Sequence, residues 1–282
     1  SHRLAFHEVQ GDDRLADPMI KADGKHEVTD WTSAIESSVD ALKQFEASEI
    51  AIVASARQTN EELFLTKTLA DILGTENLST VARIGEADGK LISSDRNPNT
   101  NGAKLIFNVE DPAAKLQSIK DGAANGTIKA IIALGEDLFA DAGFTNSDLA
   151  GVELIISSNI KANATAQASD IVLPSASFAE KRGSMINVTG RLQKLNQAIQ
   201  APGNAKDDWE LIRDLILGYT GESNDMYMLE DIVKVVAKAI PAFEGVTLSK
   251  IGEQGIQLIE TGETIPLIEK EKQRIANNEI VG

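Results

Sequence analysis

The chain has 282 residues, 42% of them apolar and only 4% aromatic, which is enough aliphatic material to bury a core in a chain longer than the roughly 100–150 residues of a typical domain. Its 43 acidic residues outnumber 27 basic ones, for a formal net charge of −16, and this weighs against binding nucleic acid or an anionic membrane surface. There is no cysteine, so disulfides, thiolate zinc sites, Cys-ligated iron–sulfur clusters and a cysteine nucleophile are excluded within the chain.

No stretch approaches the ~20 apolar residues that a membrane-crossing helix needs, and no signal-peptide core is present, so direct membrane insertion is not expected. Ser1-His2, with no initiator Met, reads as a tag-cleavage scar or an internal cut, and the natural polypeptide is expected to extend upstream.

Residues 1–31 are expected to be an extended, turn-rich N-terminal segment, with turn signals at Gly11-Asp12-Asp13 and Asp23-Gly24. From Trp31 the spacing of Ala34, Ile35, Val39 and Leu42 predicts a helix that Asp30 or Thr32 can cap. Glu49–Ala54 is a short apolar run of the kind that makes a buried strand. Thr59 and Glu62 then form a capping box that starts a helix, Leu65, Leu69, Ile72 and Leu73 its buried stripe, and Gly74 its left-handed stop. Residues 85–103, densest in turn formers at Arg96–Gly102, predict a long loop.

Three further strands are expected at Ile128–Leu134, Val152–Ser157 and Ile171–Leu173, with helices at Pro112–Gly122 and near Asn146–Leu149 between them. Such alternation implies a parallel sheet with right-handed crossovers. Asp208–Gly218 and Leu229–Ile240 are amphipathic helices by spacing, and Glu260–Gly282 is a solvated helix or frayed tail. The fold class is therefore α/β: a Rossmann-like parallel sheet flanked by helices, with an extended N-terminal segment and a helical C-terminal tail. The expected domains are 1–31, the N-terminal segment; 32–220, the Rossmann-like unit; and 221–282, a helical extension.

Generic catalytic patterns are missing. No G-x-G-x-x-G follows a strand, and Gly85 to Lys90 is Gly-x-x-x-Gly-Lys, the wrong spacing for a phosphate loop. No serine sits in a G-x-S-x-G elbow. The three histidines, His2, His7 and His26, share no helical face, so no metal site is expected from them. The pairs Asp12-Asp13, Glu61-Glu62 and Asp207-Asp208 are expected to be solvated or helix-start charges, and no catalytic residue is assigned.

One ordered set of residues is more specific. Ala168-Ser169-Asp170-Ile171-Val172-Leu173-Pro174 leads into Phe178-Ala179-Glu180-Lys181-Arg182-Gly183, then Asn187-Val188-Thr189-Gly190-Arg191-Leu192-Gln193, and later Asp208-Trp209. Upstream lie Arg14-Leu15-Ala16-Asp17-Pro18, Asn60-Glu61-Glu62, Asn97–Ala103 and Thr165-Ala166. Together they resemble the signature of the molybdopterin oxidoreductases, across most of the chain. Physically, Asp170 starts a buried strand that Pro174 ends, Gly183 and Gly190 permit turns, and Glu180 is expected to pair with Arg191 across one of them.

The resemblance implies loops that hold guanine and phosphate groups in relatives. Gly135, Glu136 and Asp137 after one strand, with Asn187 and Arg191, are therefore vestigial candidates for cofactor binding; Glu136 is expected to repel a phosphate. It also implies gaps. Family members place a Cys, selenocysteine or Ser on the metal, yet no Cys exists here. Only some twenty residues separate Gly74 from Arg96, where the family has a second Rossmann-like domain. Retained scaffold without that chemistry is similar to the large iron–sulfur subunit of NADH:quinone oxidoreductase, respiratory complex I.

By that likeness the chain is expected to be a structural domain without a cofactor or metal of its own. It would support electron transfer from NADH to quinone by scaffolding an upstream iron–sulfur domain. Its expected partners are that domain and other subunits of the complex, and its expected place is cytoplasmic and peripheral to the inner membrane. The alternative is a fragment of a molybdopterin-dependent enzyme such as formate dehydrogenase that still binds a pterin dinucleotide.

Overall fold

The computed structural model describes residue 9 and residues 11–222 and 225–276, so His2 and His7 lie outside the described residues. A seven-stranded sheet organises the chain. Its parallel part is built from β3 (Ile50–Ala54), β4 (Leu78–Thr80), β5 (Ala130–Leu134), β6 (Leu154–Asn159) and β7 (Ile171–Pro174). The N-terminal segment contributes a hairpin, β1 (Met19–Ala22) and β2 (Lys25–Val28), which adds antiparallel to the β7 edge and gives the order β2-β1-β7-β6-β5-β3-β4. The α/β expectation thus holds with a mostly parallel sheet.

Period-two alternation sends the side chains of each central strand into two cores. Ile50, Ile52, Ile132, Leu134 and Ile156 meet helices α1 (Trp31–Leu42), α2 (Asn60–Leu73), α6 (Asp208–Thr220) and α7 (Leu229–Ala239) on one face. Ala51, Val53, Ile131, Ala133 and Ile155 meet α4 (Leu116–Asn125), Leu138 and Phe144 on the other. In chain order α3 (Thr100–Phe107) falls between α2 and α4, and α5 (Ala164–Ala168) between α4 and α6. Local signals act as read: Thr59 and Glu62 form the capping box of α2, Gly74 ends it in the left-handed region, and Asp30 rather than Thr32 caps α1.

Four local expectations need correction. The predicted loop 85–103 runs into α3, because Asn99 is fully buried and acts as a hub: its amide donates to Gln58 O and Asn60 Oδ1, and its Oδ1 accepts from Ile186 N. The stretch near Asn146–Leu149 is a turn closed by Thr145 and Asp148, with Gly151 following too soon for a helix to propagate. The helix placed at Pro112–Gly122 is α4, which starts after an Asp111 turn and stops at Gly126. A second sheet was unforeseen: β8 (Gly183–Ile186) and β9 (Arg191–Leu195) form a hairpin, and β10 (Ile256–Gln257) joins β9 after the short helix α8 (Leu248–Ile251). Within the expected tail, Pro266–Ala276 is helical, α9.

Candidate functional site

The parallel sheet reverses its winding at β3, which has β4 on one side and β5 on the other. Loops leaving the C-terminal ends of β3 and β5 therefore diverge, and open α/β sheets bind ligands in the crevice this leaves. A cavity of about 470 Å³ lies at this end of the sheet, lined by the loops after β3, β5, β6 and β7. That volume falls within the roughly 300–1,000 Å³ of small-molecule sites.

Its walls carry unfinished hydrogen bonding. Four buried side-chain polar atoms lack a partner among the described residues, and three of them belong to residues of this cavity: Gln58 Nε2, Asn159 Nδ2 and Ser177 Oγ. The residues are only 1%, 4% and 1% exposed. A buried unsatisfied donor costs about 1–3 kcal/mol, so these groups suit a ligand rich in acceptors. The carboxylates on the same walls are already committed. Asp137 Oδ1 accepts from Thr165 Oγ1 at 3.0 Å and from Phe139 N at 2.9 Å, and Asp208 accepts from the hydroxyls of Ser158 and Ser175.

Gly135 turns the chain at the end of β5 with φ of +70°, a conformation that favours glycine. Glu136, expected to repel a phosphate, is instead fully buried and neutralised. Arg83 grips it with both Nη atoms, the Nη1–Oε1 distance being 3.0 Å, and Arg57 Nη2 approaches at 3.3 Å. Both arginines also reach Asp141, at 2.9 Å from Arg57 and 2.7 Å from Arg83. Burial pushes the Asp141 carboxyl up, but the two guanidiniums outweigh it and hold the group below its ordinary value. For Arg83, burial works against the charged form, and bonding to Glu136 more than compensates.

At the floor of the cavity, which Lys181 and Asp208 line, sits a buried ionic cluster. Lys181 Nζ lies 2.9 Å from both oxygens of Glu62 and 3.4 Å from Asp208 Oδ2. Glu61, Glu62 and Asp208 are all under 4% exposed, at 2%, 0% and 3%. Asp12-Asp13 is exposed as expected, and Glu61-Glu62 and Asp207-Asp208 do stand at the starts of α2 and α6, but Glu61, Glu62 and Asp208 are buried there and Asp207 half-buried. Glu61 is held by Ser184 through its N–H at 2.8 Å and its hydroxyl at 2.7 Å. Burial raises the Glu61 and Glu62 carboxyls, against the Ser184 hydrogen bonds and the Lys181 charge respectively. Asp207 is pushed up to about 7, by burial first and by the neighbouring Glu62 charge second. Burial depresses the Lys181 ammonium, but Glu62 and Asp208 outweigh it and hold the group above its ordinary value.

The remaining candidates lie elsewhere. Asn187 Oδ1 accepts from Thr189 N and Arg191 N, shaping the β8–β9 turn, and Arg191 Nη1 donates to the carbonyls of Gln254 and Gly255 beside β10. At Gly190, φ is +82° and a Cβ would lie 2.0 Å from Ile259 O, so this turn is a packing requirement. Neither Asn187 nor Arg191 lines the cavity. Glu180 pairs with Arg14, through two bonds of 2.7 Å, and not with Arg191; three-dimensional proximity to the N-terminal segment overrode sequence proximity. Arg57, Gln58, Arg83, Asn159, Ser177 and Lys181 were not foreseen as site residues. The one signal that could have found Arg57 and Gln58 is their place between the first parallel strand and its capped helix.

Several proteins similar to this chain are oxidoreductase alpha subunits and formate dehydrogenases. It is 34% identical over 138 residues to the F420-dependent formate dehydrogenase 1 subunit alpha of Methanococcus maripaludis, covering 47% of this chain and 20% of that protein. It is 31% identical over 134 residues to the NADPH-Fe(3+) oxidoreductase subunit alpha of Geobacter sulfurreducens, 46% of this chain and 16% of that one. With formate dehydrogenase H of Escherichia coli the identity is 27% over 146 residues, 50% of this chain and 20% of that enzyme. The matched region spans about a fifth of the length of these relatives, 20% for the first. In fold, the chain is similar to acetylene hydratase from Pelobacter acetylenicus, with a TM-score of 0.64 at 9% identity over 87% of this chain and 66% of that one. A family model described as molybdopterin oxidoreductase matches residues 14–110 and 99–217, the span that holds the parallel sheet, the cavity and both ionic networks, and the chain belongs to that family.

Proposed function

We propose that this chain is part of a molybdopterin-dependent oxidoreductase of the formate dehydrogenase kind, and that its cavity holds the nucleotide portion of a pterin dinucleotide. The observation that carries this reading is the set of unpartnered polar atoms on Gln58, Asn159 and Ser177 around a crevice at the sheet's switch point. Phosphates and a purine offer the acceptors these groups need, while the carboxylates nearby are spent on protein partners. The similarity to formate dehydrogenase alpha subunits supports the same assignment.

When bound, a pterin dinucleotide supplies dithiolene ligands to the metal that exchanges electrons with substrate. This chain's part is to bind and orient. Gly135 lets the backbone approach closely, Gln58 and Asn159 offer side-chain amide donors, Ser177 offers its hydroxyl, and Arg57 supplies positive charge. An iron–sulfur segment of the same enzyme is the partner this reading implies.

A second reading, the cofactor-free scaffold similar to the large iron–sulfur subunit of NADH:quinone oxidoreductase, peripheral to the inner membrane, has one feature in its favour. The connection from Gly74 to Arg96 is short and the chain offers no Cys to a metal. One experiment separates the two. The full chain, purified from cells that make the cofactor, is assayed for Mo, W and Fe and for pterin fluorescence after oxidative release. Pterin at a substantial fraction of the chain's molar amount is expected; pterin and Mo or W near zero would leave the scaffold reading standing.

A further inference from the structure

We propose that Arg57 is a movable diphosphate clamp: its guanidinium leaves Glu136 and Asp141 to bind the diphosphate of a ligand in the cavity. This rests on the reading of the cavity as a nucleotide site. The first ground is redundancy. Arg83 alone holds Glu136 through both of its Nη atoms and reaches Asp141 Oδ2 at 2.7 Å, so each acid keeps a cation when Arg57 departs. The Arg57 bonds duplicate these, at 3.3 Å to Glu136 and 2.9 Å to Asp141.

The second ground is exposure. The Arg57 side chain is 50% exposed and lines the cavity, whereas Arg83 is 20% exposed and does not. The pair of Arg57 with the part-exposed Asp141 holds the arginine weakly, by about 0–1 kcal/mol, and its bond to buried Glu136 is the longer one, at 3.3 Å. The third ground is independent of charge. Gln58, the next residue, presents the unpartnered Nε2, and Asn159 and Ser177 add two more unpartnered polar atoms. Acceptor-seeking groups beside a spare cation describe an oxyanion site, and the planar fork of arginine matches two phosphate oxygens at once. In a chain of net charge −16, a phosphate needs such a local cation to enter.

The test is calorimetric titration of the full chain with inorganic diphosphate, then with GDP and guanosine, for wild type, R57Q and R57K. Wild type is expected to bind diphosphate with an affinity that falls as NaCl rises. R57Q should lose about 10- to 100-fold, R57K should fall between, and the melting temperature of R57Q should stay near wild type. No diphosphate binding by wild type, or equal binding by a folded R57Q, overturns the clamp. Diphosphate binding that depends on Arg57, with GDP no tighter than diphosphate, keeps the clamp and removes the nucleotide reading. Tight GDP binding that R57Q leaves unchanged does the reverse.

Discussion

Two ionic networks lie within one cavity's reach and behave differently because of where water can go. The floor cluster of Glu62, Lys181 and Asp208 is almost wholly buried, with side-chain exposures of 0%, 7% and 5%. The rim network of Arg57, Arg83, Glu136 and Asp141 rises from a buried acid, Glu136 at 0%, to a half-exposed base, Arg57 at 50%. In the floor each charge depends on the others, since an unpaired buried ion has no water to fall back on. At the rim the partners are duplicated and solvent can replace one of them. Burial thus turns one set into a fastener and leaves the other free to exchange a protein carboxylate for a ligand.

The largest expected effect is on the floor. Replacing Lys181 with Met leaves Glu62 and Asp208 buried without their cation and should cost about 3–5 kcal/mol, read by urea denaturation. Adding E62Q to that variant should restore part of the loss, because the two residues act through one interaction; a strictly additive double variant would show the cluster to be less interdependent than its geometry implies.

Next is the pH dependence set by Asp207. Its folded pKa is raised to about 7 from an ordinary value of 3.8, so between these values the folded protein binds more protons than the unfolded one. Stability must then fall as pH rises through that window, and the loss is complete above the folded value. D207N, which keeps an acceptor for Trp209 Nε1, should melt increasingly above wild type from pH 5 to pH 8. Parallel curves for the two proteins would contradict it.

The smallest effect belongs to the rim. D141N should cost less than about 1 kcal/mol, because Arg83 retains Glu136. A thermal-shift comparison with K181M at equal ionic strength measures the contrast directly, and a D141N loss as large as that of K181M would erase the distinction between the networks.

Much of the scaffold was legible because its signals are local. The Thr59–Glu62 capping box, the Gly74 stop and the apolar run read at Glu49–Ala54 each act within a few residues, and the structure uses all three, the strand starting one residue later at Ile50. The site was less legible because its charges pair across the chain. Glu61-Glu62 has the composition of a solvated helix start, and only Ser184 and Lys181, more than a hundred positions away, make it buried. Asn99 looked like one more turn residue, yet its side chain joins the loop after β3 to β8. Asn187 and Arg191 belonged to the most recognisable motif but serve a hairpin turn, so recognisability followed the fold's demands and not the cavity.

The amino-acid sequence by itself determined the α/β class, the alternation of buried strands with capped helices, the family signature and the absence of cysteine chemistry, because periodicity, caps and composition are short-range properties. Only the tertiary structure decided that β1–β2 would close the sheet's edge and that Glu180 would take Arg14. It also decided that Gln58, Asn159 and Ser177 would face one cavity with bonds to spare. Those outcomes depend on which distant segments the sheet order brings together and on which charges lose their water, and neither is written in any local stretch of residues.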